Sequence, residues 1–393
     1  MPPTSTPANI EALDAQAQRL MAAFARAGYE RIAPAVIQPA GLFLDVVGEA
    51  LRARTYVFTD PDGAELCLRP DLTVPTCRLH LERHARGDTP ASYCYSGSAF
   101  RYQPGSAGSA HPREFRQAGI ESFAAPDREQ DDAAVCALIV AALRDAGLGA
   151  FSLRIGDLGL FNVLINALDM PERWRRRLKH QFWRPEAFRA ELNRLTSGAA
   201  GQAPNLPRAL IARLDPADPA AAETLVMEHL DQAGLELIGT RTAAEIAERL
   251  LGEAADMRAT PLPRETAALI ERFVAVKAPA REAAAKISEL MRGGSVDISA
   301  GLDAFQRRLD LIGKAGVDLA GAAFSAEFGR NLEYYTGFVF EVIAPALGPK
   351  SPVAGGGRYD DLLADAGAPA RVPAVGASIH TERLLAVLQG AAP

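Results

Sequence analysis

Side chains that could bind a small charged ligand lie between Phe100 and Phe123, where two strand-like runs flank a loop of Pro, Gly, Ser and Ala. Residues two apart on a strand share a face. Arg101 on the first run could therefore line one sheet surface together with Gln117 and Glu121 on the second. Arginine offers a planar fork of donors and glutamate accepts, so this surface suits a small zwitterion or a phosphate. The pattern alone favours a hairpin with charges on its solvated face.

Neighbouring runs predict the elements that would position these side chains. Residues 9–28 have the apolar spacing of an amphipathic helix, and residues 29–37 predict a strand broken by a proline. Residues 55–68 predict a hairpin, because alternating apolar residues flank an Asp-Pro-Asp-Gly turn. Asp71 and Thr73 follow this hairpin directly and are of the residue types that cap a helix.

The amino-acid composition changes over residues 171–299, which are rich in Ala, Arg, Glu and Leu and are interrupted by prolines. This predicts an inserted, mainly helical domain between two parts of a core, residues 1–170 and 300–393. The insert begins with a basic run at residues 173–179. Such a run could contact RNA, but the nearby acidic residues favour an ordinary solvated helix.

Composition limits the classes of protein to which the chain can belong. Hydrophobic residues make up 48% and charged residues 23%, as in soluble globular proteins. No apolar run is long enough to span a bilayer, and the N-terminus has no secretory pattern. The four cysteines lack paired spacing, and the net charge is −6. We therefore expect a cytoplasmic protein with no metal site, no disulfide framework, no membrane and no nucleic-acid partner.

Five runs carry a resemblance to a known family: residues 9–37, Phe100–Phe123 (FRYQPGSAGSAHPREFRQAGIESF), Phe324–Val342 (FSAEFGRNLEYYTGFVFEV), Ala354–Asp360 (AGGGRYD) and Ala374–Leu385 (AVGASIHTERLL). In order, they resemble motif 1, motif 2, two signature runs and motif 3 of the histidyl form of class II aminoacyl-tRNA synthetases. The third run alternates over residues 334–341 and predicts a two-faced strand. The resemblance implies an α+β fold, in which helices flank an antiparallel sheet, and a homodimer formed through motif 1.

The resemblance also implies a pocket for the amino acid histidine. An ammonium has three donors and suits a carboxylate beside a hydroxyl. By resemblance, the α-ammonium would meet Asp71 and Thr73, the carboxylate Arg330 and Gln117, and the imidazole nitrogens Glu121 and Tyr335. The full implied histidine-binding set is Asp71, Thr73, Arg101, Gln117, Glu121, Arg330, Tyr334 and Tyr335. A vestigial nucleotide site would comprise Arg101, Arg113 and Arg383.

Departures from the synthetase pattern argue against ATP chemistry. His380 stands in motif 3 where the family has glycine, and an imidazole there would crowd a space used for close backbone approach. Gln103 stands where motif 2 has glutamate. Ten residues follow Arg383, where histidyl-tRNA synthetases continue into an anticodon-binding domain, so we expect no means of reading tRNA.

A synthetase core with a histidine pocket and no anticodon-binding domain resembles the regulatory subunits of ATP phosphoribosyltransferase. The resemblance implies a subunit with no catalytic residues and no cofactor. It would pair with a short-form catalytic subunit in a hetero-oligomer and form a homodimer when alone. L-histidine would be its effector, inhibiting the first step of histidine biosynthesis. Two other functions stay open: an ATP-dependent histidine-activating ligase acting on a non-tRNA acceptor, which ATP–pyrophosphate exchange would identify, and a truncated tRNA ligase or tRNA-binding module.

Overall fold

The computed structural model describes residues 7–44, 51–103, 112–198, 208–234, 242–329 and 333–390. Contacts divide the chain into two compact units, the first made of residues 1–164 and 273–393 and the second of residues 165–272. The described strands are β1 (Glu30–Arg31), β2 (Ile37–Pro39), β3 (Tyr56–Thr59), β4 (Glu65–Leu68), β5 (Ala91–Phe100), β6 (Glu114–Phe123), β7 (Ser152–Asp157), β8 (Lys277–Pro279), β9 (Ala323–Ser325), β10 (Phe338–Ile343), β11 (Ala354–Arg358) and β12 (Ala374–His380).

The described helices are α1 (Pro7–Arg26), α2 (Gly41–Leu44), α3 (Thr73–Arg83), α4 (Arg128–Asp145), α5 (Leu158–Ala167), α6 (Glu172–Gln181), α7 (Pro185–Thr196), α8 (Arg208–Arg213), α9 (Pro219–Gln232), α10 (Ala243–Arg258), α11 (Arg264–Val274), α12 (Ala280–Gly293), α13 (Ser299–Lys314), α14 (Leu362–Asp365) and α15 (Thr381–Leu388). Among them, none combines the length and apolar character that a membrane span needs. Nor does any group of His, Cys, Asp and Glu among the described residues have the arrangement of a metal site.

A nine-stranded sheet forms the centre of the first unit, with the strand order β1-β5-β6-β12-β11-β10-β7-β9-β8. Every pair from β5 to β7 along this order is antiparallel, whereas β1 and β9 run parallel to their neighbours β5 and β7. The five strands at the centre of the order carry mostly buried side chains, and α4 packs against both β12 and α13. The α+β fold with a mainly antiparallel sheet and flanking helices is as expected.

The small sheet of the first unit has the order β2-β4-β3. Strands β3 and β4 form the predicted hairpin: the Asp60 carboxylate accepts hydrogen bonds from the N–H groups of Asp62 and Ala64, and Gly63 has a φ of +84°. Glycine adopts this left-handed conformation without steric cost. The strand predicted over residues 29–37 is divided instead between β1 of the large sheet and β2 of the small one.

The second unit contains helices α6 to α10 and most of α11. It ends earlier than the predicted insert over 171–299, because β8 is a strand of the large sheet and α12 packs on β8 and β9. The basic run at its start is largely engaged internally. Arg173 and Arg177 both form ion pairs with Asp256, which has only 1% of its surface exposed.

Candidate ligand-binding site

Glu121 lies at the centre of the site, on β6, with none of its surface exposed. Its Oε1 accepts hydrogen bonds from the hydroxyls of Thr73 and Tyr95, each at 2.7 Å. Its Oε2 accepts a hydrogen bond from the Tyr359 hydroxyl. These donors come from α3, β5 and the residue directly after β11, so one carboxylate joins three separate parts of the chain.

Glycines on the paired strands make room for this arrangement. Gly119 lies opposite Tyr95, and a Cβ at residue 119 would stand 2.6 Å from the Tyr95 hydroxyl oxygen. Gly376 lies opposite Glu121, and a Cβ there would overlap Glu121 Oε2. Because glycine has no Cβ, the tyrosine ring and the carboxylate can both occupy the surface of the sheet.

The electrostatics of Glu121 are set mainly by burial. Burial raises the pKa of its carboxyl to about 7, although the hydrogen bonds from Tyr359, Thr73 and Tyr95 lower it. An ionised carboxylate offers about four lone-pair positions. Two donors meet Oε1 and one meets Oε2, so Oε2 has room to accept one further N–H.

Asp71 supplies a second buried carboxylate, just before α3. Its Oδ1 accepts a hydrogen bond from the Val74 N–H at 3.2 Å, as expected for a residue that caps a helix. Its Oδ2 is buried and has no hydrogen-bond partner among the described residues. Burial raises the pKa of Asp71, although the Arg101 guanidinium nearby lowers it. A buried acceptor without a donor costs about 1–3 kcal/mol, so this oxygen is suited to receive a donor from a ligand.

Gln117 is also buried and lies on β6, on the same face as Glu121. Its Nε2 donates to Ser378 Oγ at 3.3 Å, and its Oε1 has no partner among the described residues. In this orientation the amide presents an acceptor. Rotating the amide by about 180° would instead present an N–H to a ligand carboxylate, because the two amide orientations have the same shape.

Aromatic rings form one wall of the site. The ring centroids of Tyr334 and Tyr335 lie 4.8 Å apart, and they lie 5.8 and 6.4 Å from that of Tyr359. Tyr334 and Tyr335 precede β10 in a segment that is not a strand, so the strand predicted over 334–341 begins only at Phe338. The register of β10 with β11 would place Thr336 opposite Asp360, but the Thr336 N–H donates to the Arg358 carbonyl instead, so the regular pairing does not extend to the tyrosines.

Arg101 lies beside Asp71, because it hydrogen-bonds to Pro70, the residue directly before Asp71. It donates from Nε to the Pro70 carbonyl at 2.7 Å, and its guanidinium lies 5.2 Å from the centroid of the Phe115 ring. His380 stacks on the same Phe115 ring, with centroids 5.0 Å apart and an angle of 29° between the planes. The imidazole that replaces the motif 3 glycine therefore covers an aromatic surface beside the site.

The remaining predicted residues lie in other settings. Arg113 is exposed, with its guanidinium 5.5 Å from the Tyr102 ring centroid, and Arg383 donates to the Pro352 carbonyl at 2.9 Å. Arg330 lies outside the described residues. The structure thus brings Asp71, Thr73, Arg101, Gln117, Glu121, Tyr334 and Tyr335 into one region of the first unit.

Three contributors were absent from the sequence-based set: Tyr95, Tyr359 and Ser378. Tyr359 lies in the glycine-rich signature, which could have indicated a role. Tyr95 and Ser378 could not be found from local sequence patterns. Their role depends on the strand register, which places both opposite Gly119 on the strands that flank β6.

Comparisons with known proteins agree with this architecture. A family model described as histidyl-tRNA synthetase matches residues 4–214 and 240–384. A protein of Brucella anthropi named ATP phosphoribosyltransferase regulatory subunit is 36% identical over 351 residues, covering 89% of this chain and 90% of its own. A protein of Brucella canis with the same name is 35% identical over 353 residues, covering 90% and 91%.

Solved structures show the same fold. An ATP phosphoribosyltransferase regulatory subunit/histidyl-tRNA synthetase from Bacillus halodurans C is similar with a TM-score of 0.66 at 20% identity, covering 98% of this chain and 81% of its own. A histidine–tRNA ligase subunit from Alicyclobacillus acidocaldarius is similar with a TM-score of 0.59 at 24% identity, covering 99% and 97%. The chain belongs to the family of ATP phosphoribosyltransferase regulatory subunits, which have the histidyl-tRNA synthetase-like class II fold.

Proposed function

We propose that this chain is the non-catalytic regulatory subunit of an ATP phosphoribosyltransferase in histidine biosynthesis. A short-form catalytic subunit depends on it for activity, and L-histidine binds to it and inhibits the complex. The relatives in Brucella are named ATP phosphoribosyltransferase regulatory subunit, which supports the regulatory role. The observation on which the histidine part rests is the set of buried acceptors around Glu121, at which Asp71 Oδ2 and Gln117 Oε1 have no partner among the described residues.

These acceptors suit the donors of histidine. An α-ammonium has three N–H groups and an imidazole has at least one. Asp71 Oδ2 accepts from the ammonium together with Thr73 Oγ1, whose own proton is already donated to Glu121. The further acceptor position on Glu121 Oε2 takes an imidazole N–H. A ligand that supplies these donors removes the cost of buried acceptors that lack partners.

The stacking of His380 on Phe115 favours a regulatory subunit over an ATP-dependent ligase. A planar nucleotide base needs an open aromatic or apolar face on which to stack. Here the His380 imidazole already stacks on the Phe115 ring, so that ring does not offer an open face. ATP–pyrophosphate exchange that depends on histidine would contradict this assignment and favour the ligase.

A homodimer is part of the same proposal. One face of the small sheet consists of Ile37, Pro39, Tyr56, Phe58, Leu66 and Leu68, and none of these residues is buried. We call this set the apolar face. Exposed contiguous apolar surface marks an interaction site, and homo-oligomers most often form by pairing the same surface on two copies.

Feedback inhibition needs no chemistry in this chain. Histidine must bind one state of the complex better than the other, by a coupling free energy of typically about 1–3 kcal/mol. The regulatory subunit then shifts the population of the catalytic subunit between an active and an inactive state.

Reconstitution with a short-form catalytic subunit tests the proposal. Transferase activity is measured with and without this chain, over a range of histidine concentrations. We expect activity only in the complex, inhibition by histidine, and loss of that inhibition in Glu121→Ala with activation retained. Glu191→Ala is the matched control, since Glu191 is a largely buried glutamate of the second unit that pairs with Arg177 and Arg194. It should behave as wild type.

Calorimetry separates the two parts of the proposal. Loss of the Glu121 contact should weaken histidine binding by about 1.5–3 kcal/mol, which is roughly ten- to a hundredfold. Unchanged histidine affinity in Glu121→Ala would show that the effector binds elsewhere. Failure of the chain to activate any short-form subunit would reject the regulatory role itself.

A further inference from the structure

The rings of Tyr334, Tyr335 and Tyr359 form what we call the tyrosine wall of the site. A buried ion-pair network lies next to the backbone that carries it. Asp132 on α4 is completely buried, and it accepts hydrogen bonds on both carboxylate oxygens. Arg308 of α13 donates from Nε to Oδ2 at 2.7 Å, and Arg358 at the end of β11 donates from Nε to Oδ1 at 2.8 Å. One carboxylate therefore joins two helices to the end of a central strand.

Two further buried aspartates belong to the network. Arg308 donates from Nη1 to Asp157 at 2.7 Å, and Arg358 donates from Nη1 to Asp360 at 2.8 Å. The side chains of all five residues are at most 7% exposed. Asp360 Oδ1 also accepts from the N–H of Ala374, the first residue of β12.

The network holds the backbone that carries the three site tyrosines. Tyr359 lies between Arg358 and Asp360, and both neighbours bind Thr336. The Arg358 carbonyl accepts from the Thr336 N–H at 2.8 Å, and the Asp360 N–H donates to Thr336 Oγ1 at 3.0 Å. Thr336 directly follows Tyr334 and Tyr335, so their position and that of Tyr359 are fixed by the same pair of residues.

Burying this many charges has a large desolvation cost, so the network is not explained by the stability of the fold alone. Well-packed hydrophobic residues in place of a buried ion network are often neutral or stabilising, whereas removal of one partner is strongly destabilising. A buried network whose members are hydrogen-bonded to one another does favour a single arrangement of its side chains. Here the network fixes Arg358 and Asp360, the two neighbours of Tyr359, whose hydroxyl donates to Glu121.

We propose that Asp132 is a positioning residue for the ligand pocket: through Arg358 it sets where Tyr359 meets Glu121 and where the tyrosine wall stands. Asp132 acts only through these residues and itself lies outside the pocket. As an account of histidine affinity, this inference rests on the proposed histidine site.

The test compares two isosteric changes at buried, ion-paired aspartates. Asp132→Asn should weaken histidine binding roughly tenfold in calorimetry, because tight ligand sites depend on side chains held within about 0.5 Å. Asp256→Asn is the matched control, since Asp256 is buried among arginines of the second unit. It should lower thermal stability in the same way and leave histidine affinity within about twofold of wild type, because its unit is not part of the pocket.

A double-mutant cycle asks whether Asp132 acts through Tyr359. If it does, Asp132→Asn should weaken histidine binding by a smaller factor in the Tyr359→Phe background than in wild type, since the affected hydroxyl is already gone. Independent roles would give the product of the two single effects. An Asp132→Asn protein that is destabilised but binds histidine as wild type does would overturn the proposal.

A second readout needs no ligand. The same cycle in denaturant unfolding should show a coupling of at least roughly fivefold in the unfolding equilibrium constant, because residues that share a network are not additive. If wild type binds no histidine, the proposed function fails, and this unfolding cycle alone decides whether the network positions Tyr359. Should Asp132→Asn not fold, Arg358→Lys replaces it in both cycles, because it keeps the charge and loses the fork of donors.

Discussion

Glu121 is a buried carboxylate that lowers the stability of the protein at neutral pH. Its pKa rises from an ordinary 4.5 to about 7 on folding, so the folded state holds the proton more tightly than the unfolded state. Below about pH 4.5 both states are protonated and the cost is absent; it grows as the pH rises towards 7 and then reaches about 3 kcal/mol. A group that costs this much in a protein core is characteristic of a functional site.

Histidine affinity should therefore depend on pH. A ligand N–H prefers the ionised form of Glu121, so binding should be roughly tenfold weaker at pH 6 than at pH 8, the ratio of ionised fractions for a pKa near 7. Calorimetry at the two pH values measures this.

Glu121→Gln provides the control for this pH profile, because it keeps the shape and cannot ionise. The ligand titrates identically with both proteins, so any difference between their profiles belongs to Glu121. Parallel profiles for wild type and variant would contradict the assignment.

Gly376 allows Glu121 to occupy its position, because a Cβ at residue 376 would overlap Glu121 Oε2. We expect Gly376→Ala to lower the free energy of unfolding by about 1–3 kcal/mol, as overpacking does, and to weaken histidine binding. Gly252→Ala in α10 is the control, since an added Cβ there meets nothing within 4 Å. It should be neutral or slightly stabilising in denaturant unfolding. Equal stability of the two variants would mean that the carboxylate moves aside freely.

At the scale of elements, the start of α3 combines a structural and a binding function. Asp71 Oδ1 accepts from the Val74 N–H while Oδ2 has no partner among the described residues. Asp71→Asn keeps an oxygen for the helix and removes the buried charge.

We expect Asp71→Asn to leave the melting temperature unchanged or higher, because burial raises the pKa of Asp71 and the charge is costly. Histidine affinity should nevertheless fall roughly ten- to a hundredfold through loss of the charged contact to the ammonium. Differential scanning calorimetry and binding calorimetry on the same samples measure both. A variant that is less stable and binds normally would make Asp71 a helix cap only.

The strand β6 shows how much of the site could be predicted. The period of two in its sequence predicts that Gln117 and Glu121 share one face, and both are buried there. The alternation at residues 334–341 has the same period, yet only residues from Phe338 onwards form a strand. Side-chain alternation cannot reveal that the Thr336 N–H bonds to the Arg358 carbonyl out of the register in which β10 pairs with β11.

Other features depend on contacts between distant parts of the chain. Tyr359 and Glu121 are 238 residues apart, and Arg358 and Asp132 are 226 apart. Such pairs require the strand order of the large sheet, which no local pattern encodes. One of the glycines that make room around Glu121 lies outside the motif 2 run for the same reason: Gly376 belongs to β12, which meets β6 only after folding.

At the scale of the whole molecule, the two units have different kinds of core. The first is built on a nine-stranded sheet that carries the candidate site. The second packs small and branched apolar residues of α8, α9 and α10 together, and separately surrounds Asp256 with arginines. The basic run at its start therefore has an internal role in the structure, where the sequence predicted an ordinary solvated helix.

The exposed apolar face of the small sheet should mediate assembly of the protein. Ile37 and Phe58 of the apolar face are 51% and 38% exposed, and Tyr102 beside it is 46% exposed with its ring 6.4 Å from that of Tyr56. We expect the protein to be a homodimer at micromolar concentration, with this face buried between the two copies. The combined change Ile37→Asp and Phe58→Asp should give a monomer in sedimentation velocity, since two charges would be buried without partners.

Met227→Asp is the matched control for this experiment, because Met227 is an equally exposed apolar residue of the second unit, at 47%. It should stay dimeric. Circular dichroism establishes that the doubly substituted protein is folded, since its changes lie on the surface of a small sheet. A wild-type monomer at micromolar concentration would reject the dimer, and a doubly substituted protein that still dimerises would move the interface away from the apolar face.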